Sequence, residues 1–535
     1  MAKKFVFIFA FLFFFWLTDR GIGQGESAHD FKETEKSTPS APVLSLIPSA
    51  SPIAQATTST SQGSAIQPPA PNSSIAPLEE QMEMAYKKSS PIHSSHTFHG
   101  KGGKAVFIAV WKKILAHYPE LKKKHAKLSE AIAQKALAES GYYPRLYGWA
   151  DSLTSDNPIL GFMMHLTERN FTAQDFNIHN LNHPGTVSNQ NAGLLAIFPI
   201  FDAMQTIDSV KAAKDAIKAR EEEERYTRME ASLLSIDAWI GLLFADAELF
   251  KAMSQLEASK TDLNEALQLM EQGLVLGADF FMGRSLAASI EQSKNGYLAR
   301  KKVALVTLNT LAGTPAEAEI AIPKNLPRPK KISKPLSSWV QEAILYRGDL
   351  AALRHQIQVQ RTEVKREKDT IMPNVNGFAS GMLDSDNFTT GGRSYTVGVL
   401  GTMALFDPSR DPKIKRAKAE EEQLIHEESV LKDNIQTKLA EAITDLETAY
   451  RDSEILYHSM QDAIQAIVMT RDLYREGRKT IADLIQARTY GLQVEVSYLE
   501  SVARYESSKA KLFFLSGQLD DYQVQNLANE LGGED

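Results

Sequence analysis

The pattern of apolar and polar positions divides the chain into very long helical segments and short alternating ones. Residues 203–272 contain no proline and a single glycine, and residues 413–476 contain neither. At a rise of about 1.5 Å per residue, each segment predicts a helix roughly 100 Å long. Apolar residues recur at the spacing of a helix that packs beside others, as in the series Leu431, Ile435, Leu439, Ile443, Leu446 and Tyr450.

A different pattern, with a period of two, follows Pro373. Residues 375–382 and 393–406 flank a turn-rich stretch, and in the second run apolar residues alternate with small or polar ones. Transmembrane β-strands show this pattern because one face meets lipid and the other a wet lumen. Residues 146–150 and 192–198 supply a matching pair earlier in the chain. Four strands cannot close a lipid-exposed barrel, so several copies of the chain are expected to pool their strands.

The chain also carries one set of landmarks twice. An acidic residue and a leucine open each half, a Pro-x-x-x-Gly follows 23 residues after the leucine, and two glycines 40 residues apart stand near each far end. Such a fixed spacing indicates one structural unit used twice. The landmarks are Glu120-Leu121 and Asp349-Leu350, Pro144-Gly148 and Pro373-Gly377, Gly273 and Gly313, and Gly477 and Gly517.

These features predict the domain organisation. Lys3 and Lys4 precede a short apolar run, which predicts a signal peptide over residues 1–23. A Ser/Pro-rich tail over residues 24–100 has the composition of disordered chains. The first repeat is predicted at 101–313, with a β-hairpin at 144–201 and a tip turn at 273–279, and a Pro-rich linker at 314–335. The second repeat is predicted at 336–517, with a hairpin at 373–406 and a tip turn at 477–483, before a C-terminal tail at 518–535.

Composition excludes several kinds of function. The chain has no cysteine, which excludes disulfides and thiolate metal sites. The net charge of −7 is mild and gives no footprint for nucleic acid. No phosphate loop, nucleophile triad or paired-carboxylate site is recognisable, so we expect neither enzymatic activity nor a cofactor. The histidines His93, His96 and His99 are spaced for metal binding, but in a Ser/Gly-rich segment this spacing is more often incidental.

The long helices alone are equally compatible with a soluble coiled-coil rod. The alternative function is therefore a periplasmic coiled-coil scaffold or adaptor protein without a barrel. The two amphipathic hairpins favour the membrane interpretation, because a rod has no use for strands with one apolar and one polar face.

The order and spacing of these features resemble those of the TolC-type outer-membrane efflux proteins over about residues 105–520. Tyr474-Arg-Glu-Gly477-Arg-Lys-Thr480-Ile-Ala-Asp483-Leu-Ile-Gln-Ala487 is similar to the turn motif of that family. The resemblance implies an α+β membrane protein, a homotrimer whose twelve-stranded β-barrel continues into a long periplasmic α-helical barrel. It further implies an exit duct for efflux or type I secretion in the outer membrane of a Gram-negative bacterium. Its partners would be a periplasmic membrane-fusion adaptor, an inner-membrane pump of RND or ABC type, and outer-membrane lipid.

The resemblance also implies gate residues at the tip turns. In this family polar links between helix pairs close the periplasmic tip, and acidic side chains narrow the pore. Asp279 and Asp483 stand six residues after Gly273 and Gly477, and Tyr474 and Lys479 occupy positions of inter-helix donors. The alternative for Asp483 is a helix cap, since Thr480 followed three residues later by an acid resembles a capping box. Gln486 stands where the family often has a second acid, so a doubled acidic ring is not expected.

Overall fold

The computed structural model describes residues 103–323, 327–387 and 391–531. The predicted signal peptide and the three histidines His93, His96 and His99 lie outside these ranges. Within them, one order of elements occurs twice: two consecutive helices, a β-hairpin, a very long helix, a tight turn and a second long helix.

The first repeat begins with α1 (Gly103–His117) and α2 (Pro119–Glu139) and continues through a 3-10 turn into β1 (Arg145–Ser155). The segment between the strands contains α3 (Pro158–Glu168), a 3-10 turn (Ala173–Phe176) and α4 (Ile178–Asn182). The repeat then continues with β2 (Val187–Asp202), α5 (Gln205–Glu271) and α6 (Gly277–Ala312).

The second repeat begins with α7 (Leu336–Tyr346) and α8 (Gly348–Asp369), which lead into β3 (Asn374–Ser385) and β4 (Gly392–Thr402). It ends with α9 (Arg410–Arg475) and α10 (Ile481–Leu515), and α11 (Asp521–Leu531) follows. Each repeat thus keeps its landmark proline immediately before its first strand, at Pro144 and Pro373.

The helix that opens each repeat is broken in two. In the first repeat the break falls at Tyr118, where Pro119 opens α2. In the second it falls at Arg347, whose side chain is buried and donates to the Asp349 carboxylate and to the carbonyl oxygen of Leu515. Arg347 therefore ties the broken helix to the end of α10.

The two longest helices, α5 and α9, contain 67 and 66 residues, which corresponds to about 100 Å each. They run beside α6 and α10, so each repeat forms a long helical hairpin, and α5 also contacts α8 and α10 of the other repeat. Two apolar cores result. The larger contains Trp111, Trp239 and Tyr505 around the middle of α5 and α9, and the smaller contains Phe280 and Ile485 near the tip turns.

The four strands form one antiparallel sheet in the order β1-β2-β3-β4. Direct partners include Gly148 and Leu194 on β1 and β2, and Ala379 and Val397 on β3 and β4. The central contact between β2 and β3 joins the two repeats, with a bulge between Pro199 and Phe201. In the described part of the chain β1 and β4 each pair along one edge only, so the sheet has two open edges.

The C-terminal end differs from the predicted tail. Residues from Asp521 form helix α11, in which Val524, Leu527, Ala528 and Leu531 are buried. These positions follow the spacing of one helical face, and the face packs against α1 in the larger core. Helix α11 is therefore part of the folded body. Between the repeats, the described parts of residues 314–335 contain no helix or strand of more than one residue.

Candidate functional site

The turn at the tip of the second repeat is built by a glycine and a helix cap. Gly477 adopts a left-handed backbone with φ of 70°. The backbone N–H groups of Gly477 and Arg478 donate to the carbonyl oxygens of Tyr474 and Leu473, at 2.9 Å each. This closes the end of α9 in the Schellman manner, which favours glycine at this position. The chain can then reverse within four residues and begin α10 at Ile481.

The capping box at the start of α10 is confirmed. The backbone N–H and the hydroxyl of Thr480 donate to Asp483 Oδ2, at 3.0 and 3.1 Å, and the N–H of Asp483 donates to Thr480 Oγ1 at 3.1 Å. The backbone N–H of Thr480 is the main reason that the pKa of the Asp483 carboxyl lies below its usual value, and the Thr480 hydroxyl and the Lys479 ammonium lower it further. Asp483 is thus a charged, partly exposed carboxylate at physiological pH.

The Lys479 ammonium lies 3.8 Å from Asp483 Oδ1 within the same turn. Both side chains are substantially exposed, at 49% and 38%. Such a pair contributes little to stability in water. Within one protomer the sequence-predicted donor Lys479 therefore faces its own turn.

The turn of the first repeat has the same backbone but different side chains. Gly273 adopts φ of 74°, and Leu274 N–H donates to the carbonyl oxygen of Leu269. Asp279 lies in the first turn of α6, but the N-cap residue is Leu276, which offers no side-chain cap. Leu274 and Leu276 are exposed. The first tip turn is therefore apolar, whereas the second is charged.

Tyr474 lies against the smaller apolar core, with its hydroxyl buried. Burial raises the pKa of this phenol, and the carboxylates of Glu265 and Asp262 raise it further. Among the described residues of one protomer, the hydroxyl has no hydrogen-bond partner. The structure thus places Tyr474 between helices but does not give it a link to Asp279 or Lys479 within the protomer.

The strongest polar link near the tips was missed by the sequence analysis. Arg488 on α10 donates through Nε to Asp262 Oδ2 of α5 at 2.6 Å, and both side chains are about nine-tenths buried. Arg488 Nη1 also donates to Gln255 Oε1 at 3.4 Å. The signal for Arg488 was present, because it occupies the apolar stripe of Leu484, Ile485 and Leu492, where a charge requires a partner.

Further ion pairs continue between the repeats along the same helices. The Lys251 ammonium on α5 lies 3.3 Å from Glu495 on α10, and Arg300 on α6 lies 3.3 Å from Glu500 on α10. Arg488 and these two contacts join the hairpin of the first repeat to that of the second. The buried pair of Arg488 and Asp262 is the most shielded from solvent of the three.

At the other end of the hairpins, the sheet has two chemically distinct faces. One face carries exposed apolar side chains, which include Leu146, Leu194, Tyr395, Val397 and Val399. The opposite face carries the polar residues Asn191, Ser380, Asp384 and Thr396, together with large side chains such as Trp149 and Phe378. We call them the apolar face and the polar face.

Two aromatic side chains cover glycines on the polar face. Trp149 lies over its direct partner Gly193, where an added Cβ would be 2.4 Å from the indole ring. Phe378 lies over its direct partner Gly398 in the same way, at 2.6 Å. Both aromatics stand five residues after the landmark proline of their repeat, so the duplicated spacing sets an equivalent contact in each hairpin.

Two negative observations concern the described ranges. No helix there combines the length and apolar character needed to cross a membrane. No group of three or more histidine, cysteine, aspartate or glutamate side chains there is arranged to hold a metal ion.

Comparisons with known proteins match both the sequence and the fold. The family model for outer membrane efflux proteins matches residues 339–518. Over these residues the chain is similar to the outer membrane efflux protein family. The match includes the β3–β4 hairpin, the second tip turn and Arg488. This family consists of channel proteins of the outer membrane rather than enzymes.

Individual proteins are also similar to this chain. The chain is 23% identical to the alkaline protease secretion protein AprF of Pseudomonas aeruginosa over 339 residues, which cover 60% of this chain and 69% of AprF. Two solved structures of outer-membrane proteins share the fold. The Campylobacter jejuni CmeC outer membrane channel gives a TM-score of 0.64 at 16% identity, with 80% of this chain and 90% of CmeC covered. The outer membrane protein VceC from Vibrio cholerae gives 0.63 at 17% identity, with 77% and 96% covered.

Proposed function

We propose that this chain is the outer-membrane channel of a tripartite efflux or type I secretion system, a passive exit duct that leads from the periplasm to the exterior. The observation that carries this proposal is the four-stranded sheet with one apolar and one polar face, continued by two helical hairpins about 100 Å long. Transmembrane barrels need strands of this kind, and long helical hairpins suit a tunnel that extends from the barrel.

The open edges of the sheet support a homotrimer. Backbone N–H and C=O groups along β1 and β4 would be unpaired in lipid, which costs several kcal/mol for each group. Pairing β4 of one copy with β1 of the next removes both edges. Three copies would supply twelve strands, in line with the barrel that the family resemblance implies, and the helices would continue it as a helical barrel.

The partners follow from the same role. A passive duct contains no energy source, so transport requires an inner-membrane pump of RND or ABC type and a periplasmic adaptor that connects the two. The similarity to an alkaline protease secretion protein supports type I secretion as one use of the duct, and the match to the outer membrane efflux protein family supports small-molecule export as the other.

We further propose that the tip turns form the periplasmic gate. Asp483 is charged and partly exposed at the end of the hairpin, so three copies would place a ring of carboxylates there. Asp279 would contribute a second acidic position. The Tyr474 hydroxyl is buried without a partner among the described residues of its protomer, so a contact with a neighbouring copy requires the tip helices to shift as the tips converge. Lys479 is already exposed enough to reach a neighbouring copy.

Two measurements test the proposal. Extraction of cell membranes with carbonate should leave the protein in the membrane fraction, and its mass in detergent should be that of a trimer without any pump present. Release by carbonate would instead favour a periplasmic scaffold or adaptor without a barrel. A stable monomer in detergent would contradict the shared barrel.

A further inference from the structure

The segment between β1 and β2 forms a small folded unit, which we call the cap (residues 156–186). Asn157 caps helix α3 by accepting hydrogen bonds from the backbone N–H groups of Ile159 and Leu160. The rings of Phe162, Phe171 and Phe176 meet edge to face, with centroid distances of 5.0 Å between the first two and 4.9 Å between the last two. The cap therefore has an apolar centre of its own. The hairpin of the second repeat lacks such an insertion.

The cap lies on the polar face of the sheet. Gly392 on β4 pairs directly with Asp384, and a Cβ at Gly392 would point to the polar face and meet the carbonyl oxygen of Thr167 at 1.7 Å. Arg169 Nη2 also donates to the carbonyl oxygen of Arg393 at 2.6 Å. The cap thus begins in the first hairpin, crosses β2 and β3, and reaches the edge strand of the second hairpin.

Helix α3 turns two different sides to its surroundings. Gly161, Met164 and Glu168 follow helical spacing and are buried toward the sheet. On the other side Ile159, Met163 and Leu166 follow the same spacing, but they are 72%, 50% and 48% exposed. Phe176 and Ile178 of the cap are also exposed, at 65% and 77%. This second side is an apolar surface that one protomer leaves uncovered.

We infer that this apolar surface packs against the caps of the other copies and that together they narrow the outer mouth of the duct. The inference rests on the proposed trimer. In a barrel that pools the strands of three copies, the polar faces point toward the shared axis, and each cap is carried on that face. Three caps related by rotation therefore converge with their uncovered sides near the axis, and a second copy of this chain is the occupant that the geometry supplies.

Cross-linking between introduced cysteines tests the contact. The chain has no cysteine of its own that could form other disulfides. Met163→Cys places a thiol on the uncovered side of α3. Oxidation of intact cells should produce a covalent dimer band on a denaturing gel, because neighbouring caps bring the thiols within disulfide distance. Val397→Cys is the matched control: it has similar exposure, 59%, but lies on the apolar face and should stay monomeric on the gel.

Access to the lumen tests the narrowing. Ser380→Cys places a thiol on the polar face below the cap. A large impermeant maleimide applied outside the cells should label it slowly in the full chain and faster when residues 157–185 are replaced by a short Gly-Ser turn. This readout comes from the outer side and does not depend on the periplasmic gate.

The outcomes separate this inference from the proposed function. A detergent-stable trimer that forms no Met163→Cys dimer and labels Ser380→Cys equally fast with and without the cap would overturn the converging caps. Quenching of a fluorophore on Met163→Cys by lipid-borne quenchers would also overturn them, because the cap would then lie on the membrane surface. A protein that forms no trimer at all would instead contradict the proposed function.

Discussion

Arg488 and Asp262 form a buried ion pair between the two repeats, with 2.6 Å between the guanidinium Nε and the carboxylate Oδ2. The residues are 226 positions apart in the chain, and the pair lies just above the tip turns. A buried charge that loses its partner stays desolvated without compensation. The pair therefore fixes how the two hairpins of one protomer meet.

Removing one member of this pair is expected to destabilise the protein. Arg488→Met should lower the free energy of unfolding by about 3–5 kcal/mol because the Asp262 carboxylate is left buried and unpaired. Adding Asp262→Leu should recover part of the loss. Denaturant unfolding of the detergent-solubilised protein measures both changes. Arg451→Met is the control, since its pair with Glu447 is exposed and should contribute under about 1 kcal/mol.

The duplicated glycines should differ in their tolerance of alanine. Gly477 has φ of 70° and no atom within 4 Å of an added Cβ. Gly477→Ala should therefore lower the free energy of unfolding only by the strain of a left-handed backbone at alanine, about 1–2 kcal/mol. Gly517 has φ of 74°, and its added Cβ would lie 2.7 Å from the backbone nitrogen of Arg347. Gly517→Ala should therefore destabilise the protein more than Gly477→Ala in thermal unfolding. Equal losses would show that the chain near Arg347 can move aside.

The gate role of Tyr474 and Lys479 predicts an effect on conductance. Because the Tyr474 hydroxyl has no partner among the described residues of the protomer, Tyr474→Phe should not destabilise the protomer. Combined with Lys479→Ala, it should remove contacts between copies worth about 1–3 kcal/mol, which raises the open population on the order of 10-fold to 100-fold. Planar-bilayer recordings measure this rise. Unchanged conductance would leave these residues without a role in closing the duct.

Asp483 should have two separable roles, as a helix cap and as a pore charge. Thr480→Ala removes the side chain that caps α10 but keeps the Asp483 carboxylate. It should therefore lower the free energy of unfolding by about 1 kcal/mol without changing ion selectivity. Asp483→Asn removes the charge and should reduce the preference for cations. Reversal potentials in asymmetric salt distinguish the two variants. The same selectivity in Asp483→Asn as in the parent would restrict Asp483 to capping.

The capping box of Thr480 and Asp483 also predicts how the stability of the protein depends on pH. The pKa of Asp483 is lowered in the folded state. A group with a depressed folded pKa contributes stability that is fully present above its unfolded value, about 3.9, and is lost as the pH falls through the folded value. Thr480→Ala should therefore be less stable than the parent at neutral pH, and the difference should shrink at strongly acidic pH. A difference that stays constant down to low pH would contradict the hydrogen bond from the Thr480 hydroxyl to the carboxylate, which is the one that alanine removes.

Several features of the fold could be predicted from local patterns. All four landmark glycines, Gly273, Gly313, Gly477 and Gly517, adopt positive φ, because a helix that must end within one residue favours the residue without a Cβ. The capping box at Thr480 was predictable for the same reason, since all of its groups lie within four residues. Period-two alternation identified the hairpins.

Contacts between distant residues could not be predicted in this way. The sequence around Arg488 does not identify Asp262 as its partner. The position of the Arg488 charge within an apolar stripe shows only that some partner is required. The path of the cap across the sheet depends on Gly392, whose missing Cβ leaves room for the Thr167 carbonyl. The spacing of the apolar residues in α11 is that of a helix with one apolar face, but the segment was predicted as a tail because it lies near the C-terminus.

The packing of α11 against α1 has a consequence for how the chain matures. Helix α1 buries Phe107, Trp111 and Ile114 in the larger core, and part of the wall around them comes from Val524 and Leu527 of α11. A protein exported from its N-terminus first therefore presents α1 to the periplasm more than 400 residues before the segment that completes its surroundings. The apolar residues of α1 would stay partly exposed until translocation is nearly finished. Folding of the first repeat can therefore finish only after the whole polypeptide has been exported. A protein that is truncated after α10 would lack the residues that cover the apolar side of α1.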